Sequence, residues 1–522
     1  QSGDLAAHLL GLGLKPGDRV GILSENRMEW CVTYFACVSS GLVAVPVDRE
    51  LREREILHIL SFSGARAVVA SGDFVRSLQQ DLRAISSMEY LISMEEEQGR
   101  ADFSFQESLL SGARARENGS VRYEDLTVLP HDVAAIIFTS GTTGSAKGVM
   151  LTHQNIASNV MATSYHVAIN QDDVLLSVLP LHHTYECTAG FLTALYQGAT
   201  ICHAESLRRI PDNLRETKAT VMLGVPALFE AMYRRIEAAV AEKGGRKFDI
   251  ARRIAWASEK LFRTNIRRLL FRQLHHQFGG RLRLFISGGA ALNPEVSIGF
   301  RELGIDCIQG YGMTEHSPII SVNRVDAVRD ASVGIPLPGV QVRIVDNEIV
   351  VKSKSVMKGY YLNPEATAEA LRDDWLYTGD LGHFDDAGFL YISGRKKSII
   401  VTAKGKNVYP EEIEAILNDS PYILESLVWG GPHEDPSEVE VHAIIVPDFQ
   451  AFDAEFGPSN YSEETINEVI SREVKQCNRQ LASFQRIKRF SLRSEEFEKT
   501  TTRKIKRYLY TTKSRPLSKT RR

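Results

Sequence analysis

The chain has 522 residues, more than one hydrophobic core usually organises, so two or more domains are expected. Hydrophobic residues at 43% and charged residues at 24% exclude a disordered chain, and a net charge of −3 argues neither for nor against nucleic acid. Six cysteines (Cys31, Cys37, Cys187, Cys202, Cys307, Cys477) are scattered without C-x-x-C pairing, the usage of a cytosolic protein with reduced, mostly buried thiols.

The chain opens on Gln1, without an initiating methionine, and runs straight into a helical pattern at Leu5 to Leu10, so a preceding segment is expected. From Trp30 to Val47 no residue is charged, but Ser39, Ser40, Gly41 and Pro46 interrupt the run. It reads as a helix over Glu29 to Ser39, a turn at Gly41 and a buried strand over Leu42 to Val47, not as a membrane span. Buried strands are also expected at Val20–Leu23, Ala67–Ala70, Ala134–Phe138, Val174–Val178, Val221–Leu223 and Leu284–Ser287, alternating with amphipathic helices. That alternation predicts an α/β fold. Residues 229–278 read as helices with a glycine turn at Gly244–Gly245, and Val333 to Ile392 as strands and turns. A second α/β unit follows: a helix at Glu411–Leu417, strands at Leu424–Trp429 and Val439–Val446, and a helix around Glu463–Leu481. The expected organisation is a large multi-subdomain unit over 1–396, a small mobile α/β unit over 397–510, and a basic disordered tail over 511–522.

The most informative stretch runs from Ala134 through Phe138 into Thr139-Ser140-Gly141-Thr142-Thr143-Gly144-Ser145-Ala146-Lys147-Gly148. A buried strand delivers a loop of glycines and hydroxyls closed by one lysine. Glycines let backbone N–H groups turn toward an anion, hydroxyls add donors, and Lys147 supplies the counter-charge. It is not a Walker loop, which has Gly before the lysine and Ser or Thr after it; here Ala146 and Gly148 stand there. Taken alone, the stretch also reads as a flexible turn.

With Leu151-Thr152-His153-x-Asn155 behind it, this loop resembles the signature of the adenylate-forming superfamily: acyl-CoA synthetases, peptide-synthetase adenylation domains and luciferases. Ala146 departs from the usual proline. Seven further segments resemble the superfamily's motifs in order. His182, His183, Tyr185 and Glu186 follow Leu179-Pro-Leu, a segment expected near the acyl carboxylate with His183 in a catalytic role. Ser287-Gly288-Gly289-Ala290 is similar to the turn bordering adenine. Gln309-Gly310-Tyr311-Gly312-Met313-Thr314-Glu315 resembles the loop with the stacking tyrosine, a phosphate-binding threonine and a magnesium-binding glutamate, Thr142 being the second expected magnesium ligand. Tyr377-Thr-Gly379-Asp380 resembles the ribose site, Asp380 accepting from both hydroxyls. Gly394-Arg395-Lys396-Lys397 resembles the hinge, with Arg395 also at ribose and Lys397 at the pivot. Gly405 and Pro410 to Glu414 resemble the thiol channel, and Thr500 to Arg507 the segment carrying the catalytic lysine, Lys504. Arg503 stands where the commoner form has glycine.

The resemblance implies that a carboxylate attacks the α-phosphate of ATP, expels pyrophosphate and passes as an acyl group to coenzyme A. Lys147, Lys504 and a magnesium ion on Glu315 would offset the charge that builds on phosphate. Singly, Asp380 also reads as a turn aspartate, Tyr311 as a packed aromatic, Glu315 as a helix-start acid, and Lys504 as part of a solvated basic face.

Between Arg252 and Phe278 lie seven Lys or Arg and one acid, Glu259, among Ile254, Trp256, Leu261, Phe262, Ile266, Leu269, Leu270 and Leu274. Such a stretch suits either peripheral contact with an anionic membrane or packing on its own domain. With Gly224-Val-Pro-Ala-Leu-Phe-Glu230, the helical insert is similar to that of long-chain fatty acid–CoA ligases. This implies a fatty acid substrate in a cytoplasmic or membrane-peripheral enzyme. An acyl carrier protein acting in trans, or a catalytically inactive nucleotide-binding regulator, are the alternatives.

Overall fold

The computed structural model describes all residues except 97–98, 122–124, 140–146, 243–245, 263–265, 402–405, 433–438, 459, 501–503 and 512–522. The turn expected at Gly244–Gly245 and the basic tail from 512 onward therefore lie outside the described residues.

Two large sheets carry the first part of the chain. One has the spatial order Gly359–Tyr360, Lys147–Thr152, Val133–Thr139, Val43–Pro46, Arg19–Leu23, Ala65–Ala70, Tyr90–Ser93 and Phe103–Ser104. Its pairs are parallel except around Lys147–Thr152, which runs antiparallel to both neighbours. The other is ordered Ile335–Pro336, Ile319–Val322, Asp306–Gly312, Leu284–Ser287, Val221–Gly224, Val174–Ser177 and Thr200–His203. Parallel strands are covered on both faces, so their sequences are continuous apolar runs whose alternate residues enter different cores. Ala67 and Val69 join the cluster around the helix Met28–Ser39, whereas Ala65, Val68 and Ala70 face the helices Glu53–Ser63 and Gly72–Arg83. Likewise Val221 and Leu223 enter one cluster and Met222 another.

The uncharged run near the N-terminus is the helix Met28–Ser39 and the strand Val43–Pro46, joined through Gly41 at φ +74°. Among the described residues no helix is long and apolar enough to cross a membrane. All six cysteines are free thiols, and all but Cys202 are buried.

A third, antiparallel sheet contains Gln341–Val345, Glu348–Lys352, Leu371–Arg372, Trp375–Phe384 and Leu390–Arg395. Beyond the short helix Lys396–Ser398, a separate core gathers residues from Ile400 onward, between the strands Ile423–Pro432, Val439–Pro447 and Arg489–Leu492 and the helices Pro410–Asn418 and Glu463–Gln480. The helix Phe449–Phe456 was not foreseen; Asp448 caps it, accepting from Gln450 N and Ala451 N.

The basic stretch 252–278 is not one continuous surface helix. It is divided among Arg246–Phe262, Arg267–Leu270 and Arg272–Gln277. Phe271 and Phe278 turn inward, while Leu269 and Ile254 stay exposed. Arg252 pairs with Glu302, and Arg268 donates to Leu282 O at 2.9 Å and Gly280 O at 3.0 Å. Part of its basic face is therefore spent on the domain itself.

Candidate active site

A cleft of about 4100 Å³ lies between the large sheets and the C-terminal unit. Every expected site residue within the described part of the chain lines it: Thr139, Lys147, His183, Gly288, Gly289, Ala290, Gln309, Gly310, Tyr311, Gly312, Thr314, Glu315, Asp380, Arg395, Lys397 and Lys504. Ser140, Gly141, Thr142, Thr143, Gly144 and Gly405 lie outside the described residues.

The phosphate-loop candidate is the connection of an antiparallel hairpin. Thr139 ends the strand Val133–Thr139 and pairs with Lys147, the first residue of the strand Lys147–Thr152, so the two ends of the loop are held side by side. Lys147 Nζ lies 4.8 Å from the centre of the Tyr360 ring, within cation–π range. The Tyr360 hydroxyl donates to Glu315 Oε1 at 2.8 Å. Tyr360 thus couples the lysine to the carboxylate expected to hold the metal. Sequence reading missed it, because nothing local marks Tyr360 beyond Gly359 before it.

Asp380 sits in a tighter arrangement. The strands Trp375–Phe384 and Leu390–Arg395 pair Asp380 with Arg395, whose Nε lies 2.9 Å from Asp380 Oδ1. Tyr311 donates its hydroxyl to Oδ2 at 2.6 Å, and Thr378 Oγ1 accepts from Asp380 N at 3.1 Å. Burial, then the Asp380 charge, push the Tyr311 phenol well above its ordinary value, so it remains a donor. The Asp380 charge raises Arg395 as well. Beneath them Glu348, buried, accepts from Gly379 N at 2.9 Å and pairs with Lys396 at 2.8 Å.

Gln309 lines the cleft and is also tied into the protein on both sides. Its side-chain oxygen accepts from Leu292 N at 3.1 Å and its amide donates to Asp330 O at 2.6 Å, so it braces the cleft wall. Gly288 is required by packing: a Cβ there would stand 2.9 Å from the Tyr185 ring, whose hydroxyl donates to Ile286 O at 2.9 Å. Gly312 has even less room, with 2.1 Å between such a Cβ and Pro318 O.

His183 half-emerges beside Thr184, while His182 is buried. Loss of water and the neighbouring His182 hold the His183 imidazole well below its ordinary value, hence neutral at physiological pH. Behind them the π-helical segment Tyr185–Leu192 buries Glu186, whose carboxyl is pushed up to about 8 by loss of water. Asn26, also unmarked in the sequence, pins this turn by donating to Leu179 O at 2.6 Å and accepting from Leu181 N at 2.9 Å. One wall of the cleft is apolar, formed by Val167, Ile169, Ala189, Leu228 and Val322.

Lys504 enters from the C-terminal unit. Its ammonium is open to the cleft yet ringed by protein, which pulls it down to about 8 together with Arg395, against Asp380 and Glu315. A direct contact between the two units, Asn293 Nδ2 to Asp419 Oδ1 at 2.8 Å, accompanies this placement.

Comparison with known proteins places these features in a family. Residues 1–361 match the model of the AMP-binding enzymes, and residues 397–513 that of an AMP-binding enzyme C-terminal domain. The chain is 32% identical to the long-chain-fatty-acid–CoA ligase FadD15 of Mycobacterium tuberculosis, over 96% of this chain and 87% of that protein. It is 29% identical to the long-chain-fatty-acid–CoA ligase of Escherichia coli O157:H7, over 95% and 85%. Among solved structures, ATP-bound MatB from Rhodopseudomonas palustris superposes with a TM-score of 0.74 at 27% identity, over 97% of this chain and 91% of that one. An anthranilate CoA ligase shares the fold at a TM-score of 0.77 and 21% identity, over 97% and 89%.

Proposed function

The chain belongs to the AMP-binding enzyme family, and from that premise we propose that it uses ATP to activate a fatty acid as acyl-AMP and then transfers the acyl group to coenzyme A. The observation that carries the reading is the meeting of Lys147, Glu315, Asp380 and Lys504, drawn from four distant segments, on one cleft beside an apolar wall. The relatives named as long-chain-fatty-acid–CoA ligases support the substrate class.

In the first step the fatty carboxylate attacks the α-phosphate and pyrophosphate leaves. Lys504 and Lys147 would offset the negative charge that accumulates, and Asp380 would fix the ribose through two acceptor oxygens. Glu315 presents a hard oxygen donor held in place by Tyr360, which fits Mg2+; Thr142 is the second proposed ligand. When bound, that ion would neutralise phosphate charge. His183, neutral and on the same cleft as the apolar wall, would orient the carboxylate.

The second step needs Lys504 withdrawn, because a thiol must reach the acyl carbon. We assign residues 1–396 and 397–510 as the two bodies and Lys397 as their pivot, with Gly405 replacing Lys504 in the second orientation. The exposed Leu269 and Ile254 near Arg253 and Arg267 are the surface proposed for peripheral contact with anionic membrane. A pyrophosphate-release assay over a panel of carboxylic acids, with and without coenzyme A, tests the proposal. Medium-to-long fatty acids should give the highest rates, and thioester should form only with the thiol present. Aryl or amino acids exceeding palmitate by about tenfold, or about 1.4 kcal/mol of transition-state binding, would overturn the substrate assignment.

A further inference from the structure

Three side chains on the cleft wall make an arrangement that nucleotide chemistry does not require. Asp48 follows the strand Val43–Pro46, and His182 and His183 follow the strand Val174–Ser177. The two sheets bring them together: one candidate ligand atom from each lies within 4.8 Å of the others. The imidazole rings are 4.4 Å apart between centroids and tilted by 40°. His182 Nε2 stands 3.5 Å from Asp48 Oδ2. That nitrogen makes no hydrogen bond to any described group, although His182 keeps only 7% of its surface exposed. A buried nitrogen that makes no hydrogen bond is costly, and this one stands beside two further candidate ligand atoms.

We infer that Asp48, His182 and His183 form a binding site for a divalent transition-metal cation of the zinc class. Two imidazole nitrogens and one carboxylate oxygen suit Zn2+, whose tetrahedral preference leaves a fourth position when the protein supplies three ligands. All three residues line the cleft, so an ion held by them would be reached from it. Mg2+ is a poor competitor here, because it demands oxygen ligands in octahedral geometry. Occupation would withdraw His183 from a fatty carboxylate, making the site inhibitory. The binding itself does not depend on the reaction proposed above.

The metal-free full chain would be titrated with Zn2+ by calorimetry, and with Co2+ by visible absorption, in excess Mg2+. Zn2+ should bind despite the Mg2+, and Co2+ should develop the intense bands of a tetrahedral site. Other histidines can also take metal, so the comparison with Asp48→Asn and His182→Gln decides. Each variant should lose tenfold or more in Zn2+ affinity and lose the cobalt spectrum. A readout on the unaltered chain guards against a misfolded variant: Zn2+, and not Mg2+, should protect the peptide containing His183 from diethyl pyrocarbonate. No Zn2+ binding, variants that bind as the parent does, or an unprotected His183 would each overturn the site. The three side chains would then form only a positioning network for His183.

Discussion

Replacing Lys504 by alanine should separate the two half-reactions. The backbone presents this residue independently of its charge: a bridge between Lys499 and Ile505 closes around it. Thr500 N donates to Lys504 O at 2.8 Å, and Lys504 N donates to Thr500 Oγ1 at 3.2 Å. Losing one preorganised charge contact to a developing anion slows a reaction by about 10²–10³, or ~2.7–4 kcal/mol. Because the ammonium is open to the cleft, about a hundredfold is expected for acyl-AMP formation. Thioester formation from synthetic acyl-AMP and coenzyme A should stay near normal. Both are measurable in single-turnover quench experiments. The pH dependence gives an independent check. With its value at about 8, Lys504 is charged below that pH and neutral above it. The kcat/KM for ATP, which reports the free enzyme, should fall about tenfold per pH unit well above 8. Lys504→Arg should remove that limb, because guanidinium stays charged. The alanine variant should be no less stable. In the folded chain the lysine value is lowered from 10.5, so its charge opposes folding below about 8, a cost that fades as pH rises toward 10.5. If both half-reactions fall together, or the alkaline limb persists in the arginine variant, the transition-state role of Lys504 is wrong.

Three further outcomes are expected. Tyr360→Phe removes the 2.8 Å donor to Glu315 but keeps the ring beneath Lys147. A bond to a charged acceptor is worth about 1.5 kcal/mol, so half-saturation by Mg2+ should rise roughly tenfold with little change at saturation; an unmoved Mg2+ curve refutes the coupling. Asp380→Asn leaves one acceptor oxygen and breaks the pair with Arg395, and AMP binding measured by calorimetry should weaken at least tenfold; retained affinity would displace the ribose assignment. Arg507→Ala strands Glu414, whose side chain is 11% exposed, and should cost about 3 kcal/mol in denaturant melts. Burial already raises Glu414 to about 7 against Arg507, so its ionisation destabilises the fold as pH rises from 4.5 through 7. Without Arg507 that loss extends higher, and the deficit should be larger at pH 8 than at pH 5.

The amino-acid sequence by itself marked the buried strands and the loops expected to carry chemistry. A strand covered on both faces must be apolar throughout, so Ala67–Ala70 and Leu284–Ser287 announce themselves, and each motif is a short local turn that must keep its glycines and charges in fixed order. The tertiary structure alone decided which side chains meet. Tyr360 reaches Glu315 across 45 residues and Tyr311 reaches Asp380 across 69, distances set by strand order and register, not by any local pattern. Gln309 braces the wall through Leu292 and Asp330, and the basic stretch 252–278 is divided among several helices, with Phe271 and Phe278 turned inward. The pairing of Asp48 with His182 has the same origin: residues that follow strands of two separate sheets meet only once both sheets have packed. Local sequence fixes conformation over a few residues, whereas burial and long-range contact are properties of the assembled layers.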